Sequence, residues 1–121
     1  MPHDPEKYLY DMLEASCFLL EFTAGRSLDN YKGDKGFRSA VERQLLIIGE
    51  ALTTLDKFYP QIAQQISEYQ RIIRFRHILV HGYDIVDHDV VWNILQNKLP
   101  VLRTDVERLL GEEDKKDKPQ K

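Results

Sequence analysis

A helical repeat of apolar residues between Phe37 and Phe58 limits the folds open to this chain more than any other feature. Six of these residues recur every three or four positions and form one stripe, which consists of Phe37, Val41, Leu45, Ile48, Leu52 and Leu55. This period predicts an amphipathic α-helix. Leu46 and Ile47 fall off the stripe and give the helix a second apolar side. We therefore expect it to be the buried middle helix of a bundle or to lie at a subunit interface.

Capping residues predict where the first helix begins. Asp4 can cap it, Pro5 suits its first position, and the apolar period continues to about Thr23. The following segment, 26–36, contains two glycines and is predicted to be a loop. This loop would connect the first helix to the helix that contains the stripe.

Two further helices are predicted in the second half of the chain. Pro60 should begin a short helical turn that runs through Ile66. Ser67 with Gln70 resembles a capping box that opens the next helix, and Gly82 should end that helix.

The last helix should be capped by Asp87 and continue to Leu110, with a kink or a break at Pro100. Residues 111–121 contain mixed charges and no apolar side chain to bury, so we expect a flexible charged tail. The predicted fold is all-α, an antiparallel bundle of four main helices plus a short helical turn. One domain would occupy residues 1–110.

The overall composition bounds the class of protein. A length of 121 residues suits one packed core. The formal net charge of -3 does not favour a surface that binds nucleic acid non-specifically over its whole extent. Residues 1–11 lack the apolar stretch and the cleavage site of a signal peptide, and the apolar runs are short. We therefore expect a cytoplasmic protein without membrane association. The single cysteine, Cys17, offers neither an internal disulfide nor a zinc motif.

Positive charge is concentrated in residues 71–83, which contain three arginines, two histidines and a tyrosine but no carboxylate. In an acidic chain, this cluster predicts a local site for an anion such as phosphate. The polar side of a helical wheel carries Arg71, Arg74, His77 and His81. Arg76 and Tyr83 lie within the apolar arc instead.

Arg76 needs a partner, because a guanidinium inside an apolar stripe is costly unless it is hydrogen-bonded. One interpretation is an ion pair with Glu42 or Glu50, and the other is a functional site. On a regular helix Arg76 and His81 diverge by about 140°, so they would converge only if the helix loosened or if a second subunit supplied a facing copy. The second route predicts a homodimer, which the apolar Ile78 on the polar side also favours.

His77 and His81 have the spacing of two metal ligands on one helix face, but the further ligands that zinc needs are not evident, and we predict no metal site. Without a metal, histidine can transfer protons and arginine can hold phosphate oxygens. These groups suit RNA cleavage, in which a base deprotonates a ribose 2′-OH and the oxygen attacks the adjacent phosphorus to form a cyclic phosphate. DNA lacks that hydroxyl and would stay intact.

The segment Arg76–Tyr83 resembles the Arg-x4-His-x-Tyr motif of HEPN ribonuclease toxins. The chain is similar to the HepT family, the toxins of the HEPN/MNT toxin-antitoxin pairs. Residues 41–51 resemble the signature of the family's second helix, and residues 93–99 followed by Pro100 resemble its last helix. The resemblance covers about residues 4–110.

The resemblance implies an all-helical homodimer in which two copies of the motif face each other across a cleft. It implies a metal-independent endoribonuclease that needs no cofactor, with Arg76 and His81 as catalytic residues. Its substrate would be cellular RNA such as tRNA or mRNA. Arg71, Arg74 and His77 lie outside the motif, and their predicted role in holding RNA rests on the helical wheel alone.

The resemblance also implies a partner, an MNT nucleotidyltransferase antitoxin of a type VII system. This antitoxin would transfer AMP from ATP onto the motif tyrosine, here Tyr83, and so inhibit the toxin by bulk and negative charge. The alternative is a non-catalytic helical module that binds nucleotide or RNA, or that serves as a scaffold for the nucleotidyltransferase.

Overall fold

The computed structural model describes residues 3–117, except for the side chains of Tyr83, Lys116 and Asp117. All regular structure within this range is helical, which confirms the predicted all-α class. The α-helices are α1 (Pro5–Phe22), α2 (Leu28–Gly33), α3 (Lys35–Phe58), α4 (Pro60–Ala63), α5 (Tyr69–His81), α6 (His88–Asn93) and α7 (Leu99–Asp117). A 3-10 turn spans Tyr83–Ile85, and a π-helical segment, Ile94–Lys98, joins α6 to α7. None of the described helices is both long and apolar enough to cross a membrane.

The centre of the bundle is α3, which contacts α1, α2, α4 and α5. Its stripe is buried at all predicted positions, namely Phe37, Val41, Leu45, Ile48, Leu52 and Leu55. Burying one large aliphatic side chain stabilises a fold by about 1.5–3 kcal/mol, so this stripe accounts for much of the stability of the core. Leu46 and Ile47 are half-buried. The prediction of a central second long helix is confirmed.

Capping side chains explain where several helices begin. The Asp34 carboxylate accepts a hydrogen bond of 3.0 Å from the Phe37 N–H at the start of α3. Asp87 caps α6 as predicted and accepts from the Asp89 N–H at 2.8 Å. Asp4 occupies the capping position of α1, although its side chain makes no capping hydrogen bond.

The predicted loop at 26–36 is wrong in part, because it contains the short helix α2. Ser27 and Asn30 form a reciprocal capping box, with hydrogen bonds of 3.1 and 3.0 Å between each side chain and the other's backbone N–H. The helix is held against the core by Tyr31, whose side chain is fully buried. Six residues are too few to show a helical period in the sequence, and so short a helix depends on its capping box and on the burial of Tyr31 for its stability.

The predicted capping box of Ser67 and Gln70 is also wrong. The Ser67 N–H donates a hydrogen bond of 2.9 Å to the Asp105 carboxylate of α7 instead. Glu68 is the residue that precedes α5, and it adopts the left-handed region at φ 56°. The contact with α7 therefore sets the path of the chain here. The preceding helical turn, α4, ends at Ala63 rather than at Ile66.

The last helix is not split at Pro100 as the second form of the prediction had it, but its hydrogen bonding changes to a π-helical segment just before this residue. Pro100 is the second residue of α7, directly after the π-helical segment. Since proline has no N–H to donate and its ring crowds the preceding turn, the α-helical hydrogen-bond pattern is interrupted there. Beyond Leu110 the backbone remains helical to Asp117, further than predicted. The flexibility of residues 111–121 remains a prediction, and residues 118–121 lie outside the described range.

Candidate active site

The residues with the strongest functional signal lie on α5, a helix at the edge of the bundle. Its main contact is with α3, and none of its residues is fully buried. Four half-buried apolar residues face the core, namely Ile72, Ile73, Phe75 and Leu79. The opposite face is exposed and carries Arg71, Arg74, His77 and His81. This division agrees with the helical wheel.

A close approach between α3 and α5 depends on Gly49. A Cβ atom at this position would lie 2.7 Å from the Cγ atom of Arg76 and even nearer to its Cβ. Carbon atoms that are not bonded to each other essentially never lie this close in a packed protein, so only glycine lets the two helices approach to this distance. Sequence reasoning placed Gly49 in the family signature but did not identify this packing role.

The ion-pair partner of Arg76 is Glu50 and not Glu42. The Arg76 Nη2 atom lies 2.7 Å from Glu50 Oε1, and Nε donates to the same oxygen at 3.3 Å. The Arg76 side chain is 26 % exposed and that of Glu50 is 52 % exposed. A pair this accessible is worth on the order of 1 kcal/mol or less, so it can orient the guanidinium without preventing it from meeting an anion.

Within one chain, Arg76 and His81 point in different directions. The helix stays regular to its end, where the Gly82 N–H donates to the Ile78 carbonyl at 2.8 Å. The two side chains therefore diverge by about 140° around the helix axis. Loosening of the helix was one of the two routes by which they could converge, and the described backbone does not loosen before Gly82. Convergence across two copies is the route that remains.

Two histidine rings lie side by side on the exposed face. The ring centroids of His77 and His81 are 4.6 Å apart and the rings are inclined by 53°. In the described part of the chain, no group of three or more histidine, cysteine and acidic residues is placed to hold a metal ion. Directly after His81 the backbone turns into the 3-10 segment that contains Tyr83. A Cβ at Gly82 would lie 2.9 Å from the side chain of Ile85, which is exposed and would have to shift.

The start of α5 carries the remaining arginines. Arg71 forms an ion pair of 2.8 Å with Glu68, which also meets Lys98 at 3.0 Å. The hydrogen bonds from Lys98 and then from Arg71 lower the pKa of the Glu68 carboxyl. Arg74 has no ion pair among the described residues. Arg71 and Arg74 border a shallow depression of about 410 Å³, which lies beside the segment 64–70.

Comparison with known proteins places the chain in one family. The sequence profile of the family described as "Ribonuclease HepT-like" matches residues 12–109. A protein of Thermococcus cleftensis named "Probable ribonuclease HepT" is 31% identical over 109 residues, which cover 90% of this chain and 98% of that protein.

A second relative, from Methanocaldococcus jannaschii, is named "Putative RNase MJ0127". It is 31% identical over 111 residues, which cover 88% of each chain. No solved structure is significantly similar to the chain. Both the family profile and the two relatives span the central helix and the motif on α5, and the chain belongs to the HepT-like ribonuclease family.

Proposed function

We propose that this protein is a metal-independent endoribonuclease toxin that cleaves cellular RNA such as tRNA or mRNA at a site shared by two copies of the chain. The observation that carries the proposal is the arrangement on α5, where an exposed His81 and a partly exposed Arg76 lie on a helix with no fully buried residue. Arg76 and His81 are the proposed catalytic residues.

The proposed chemistry needs only these two residue types. His81 of one copy takes the proton from a ribose 2′-OH, and the oxygen attacks the adjacent phosphorus. The bond to the 5′-oxygen breaks, and that oxygen takes a proton from His81 of the second copy. The products are a 2′,3′-cyclic phosphate and a free 5′-OH. Arg76 stabilises the negative charge that develops on the phosphate oxygens in the transition state.

Exposed apolar residues beside the motif favour a homodimer. Ile78 is 36% exposed, Val80 is 39% exposed and Ile85 is 68% exposed. Around the axis of α5, Ile78 and Val80 lie on either side of the stripe that contains His77 and His81. A second copy placed against these residues would bury them and bring a second motif to the same place.

The activity is tested by incubating the purified chain with tRNA and with total RNA in the presence of EDTA. We expect cleavage to continue after chelation, and the new ends should be 2′,3′-cyclic phosphates, because the reaction uses the 2′-OH and no metal. An all-deoxy oligonucleotide of the same sequence is the control and should remain intact. Intact RNA under all these conditions would reject the proposed activity.

A non-catalytic nucleotide- or RNA-binding module, or a scaffold for the nucleotidyltransferase, is the second candidate. It is favoured by the ion pair between Arg76 and Glu50, which gives the arginine a structural role within one chain. The same assay separates the candidates, since a binding module would retain RNA on a filter without producing new ends.

We further propose that an MNT nucleotidyltransferase antitoxin of a type VII system transfers AMP from ATP onto the Tyr83 hydroxyl. Tyr83 follows His81 by two residues, so an added AMP would place bulk and negative charge where the RNA phosphate must bind. Incubation with the nucleotidyltransferase and ATP should raise the mass of the chain by one or more AMP units and abolish cleavage. The Tyr83→Phe variant should keep its original mass, and a modified Tyr83→Phe chain would refute the assignment.

A further inference from the structure

A groove lies between the first half of α3, the end of α5 and the loop before α6, with a volume of about 540 Å³. Leu46, Leu79 and Val86 line it with apolar surface, whereas Lys35, Arg38 and Arg43 line it with positive charge. Leu79 precedes His81 by two residues, and Val86 follows Tyr83 by three. Leu79 also follows Arg76 by one helical turn on the core-facing side of α5, so the groove borders the part of α5 that carries the proposed catalytic arginine.

The positive charge in this groove is poorly neutralised. Lys35 and Arg43 make no ion pair in the described part of the chain. Arg38 donates its hydrogen bonds to backbone carbonyls, those of Tyr31 at 3.3 Å and Lys32 at 2.5 Å. Among the described lining residues, Glu42 supplies the negative charge. Three cations beside one carboxylate in an acidic chain favour an anionic ligand.

A buried hydroxyl lies next to the same groove. The Tyr31 hydroxyl has no hydrogen-bond partner among the described residues, although the residue is fully buried. Its ring meets the ring of His88, a groove residue, edge-on at a centroid distance of 5.5 Å. Burial raises the pKa of Tyr31, and the Glu42 charge adds to this effect while Arg38 opposes it. An unsatisfied buried polar atom therefore lies behind the groove, next to His88, and such atoms are rare enough in folded proteins to need an explanation.

We propose that this groove binds one nucleotide of the substrate RNA beside the cleaved phosphate, with the base against Leu46, Leu79 and Val86 and the phosphates on Lys35 and Arg43. A nucleotide combines an apolar ring with phosphate charge, which matches the two kinds of surface in the groove. The inference rests on the proposed function. RNA is favoured over free ATP because the groove leads along the contact between α3 and α5 toward Arg76, which suits an extended chain. Leu46 lies one helical turn before Glu50, the partner of Arg76, and Leu79 lies one turn after Arg76.

The test measures binding in a chain that cannot cut, the His81→Ala variant. Lys35→Gln and Arg43→Gln are added together to remove the charge while both helical positions keep a good helix former. The matched control carries Lys57→Gln and Lys115→Gln, which remove the same charge from exposed positions outside the groove. Binding of a fluorescent single-stranded RNA and of ATP is titrated over a range of salt concentrations, and thermal melts verify that each variant is folded.

We expect the groove variant to bind RNA about tenfold more weakly and to lower the salt slope by about 1.4, because two phosphate contacts on a single strand are lost. The control should bind like the parent chain. Equal RNA binding by the two double variants would overturn the inference, and loss of ATP binding without loss of RNA binding would overturn the choice of RNA. If the double variant does not fold, Arg43→Gln alone should produce about half of the change in slope.

Failure of this inference is distinguishable from failure of the proposed function. The binding assay uses a chain without His81 and does not depend on cleavage, whereas the EDTA assay measures cleavage by the unmodified chain. If the unmodified chain cleaves RNA and the two double variants bind RNA equally, the groove inference is rejected and the proposed ribonuclease activity is supported. If the groove variant binds RNA more weakly but the unmodified chain does not cleave RNA, the nucleotide site is supported and the proposed ribonuclease activity is rejected.

Discussion

Replacing His81 by alanine is expected to lower the rate of RNA cleavage by roughly 10²–10⁴-fold, the contribution typical of a general acid or base. The thermal stability should change little, because His81 is exposed and makes no ion pair among the described residues. The rate is measured from single-turnover cleavage of a labelled RNA. His3→Ala is the matched control, since it removes an exposed histidine far along the chain, and it should cleave like the unmodified protein.

A mixing experiment tests whether the two copies share one site. The unmodified chain and the His81→Ala chain are refolded together in equal amounts, so that about one quarter of the dimers contain two intact histidines. If one histidine acts as base and the other as acid, cleavage per total chain should fall to about one quarter of the unmodified level. If each chain worked independently, cleavage per total chain would fall only to about one half of the unmodified level. A sedimentation measurement that finds only monomer would also contradict the shared site.

Replacing Gly49 by alanine is expected to destabilise the protein by about 1–3 kcal/mol, the usual cost of overpacking. The added Cβ would overlap the Cβ and Cγ atoms of Arg76, and the Cβ is held in place by the backbone and cannot rotate away. Helix α5 must then move away from α3, which also displaces Arg76 from Glu50. We therefore expect cleavage to fall together with stability. The loss of stability is measured by urea unfolding, monitored by circular dichroism.

Gly111→Ala is the control for this substitution. Gly111 lies in α7, and a Cβ there meets no atom within 4 Å. The change should stabilise the protein by up to about 1 kcal/mol, because alanine is the better helix former. The two substitutions are chemically identical, but they should change the free energy of unfolding in opposite directions. A Gly49→Ala variant as stable as the unmodified protein would show that the close contact between α3 and α5 does not exist in solution.

Several elements could be predicted because their causes are local in sequence. The buried stripe of α3 follows from the helical period of its apolar residues, and the start of α6 follows from the capping carboxylate of Asp87. The change from α-helical to π-helical hydrogen bonding before Pro100 follows from the missing N–H of proline. Each depends on neighbours within a few residues, so no knowledge of the tertiary structure was needed.

Other elements depend on residues that are distant in sequence. The helix α2 is held by the burial of Tyr31, and the start of α5 is displaced by the hydrogen bond from Ser67 to Asp105, 38 positions away. Local patterns favour a loop in the first case and a capping box in the second. Both predictions were wrong because the energy of a tertiary contact exceeds that of the local preference.

By itself, the sequence determined the all-α class, the central place of the helix containing Phe37–Phe58, and the motif that runs from Arg76 to Tyr83. Only the tertiary structure decided that Gly49 lets α5 approach α3, that Glu50 is the partner of Arg76, and that α5 lies at the edge of the bundle with His81 exposed. The physical reason is the separation along the sequence over which each interaction acts. Helical period and capping act over one or two turns, whereas the choice of ion-pair partner and the exposure of a helix face depend on which helices meet across the core.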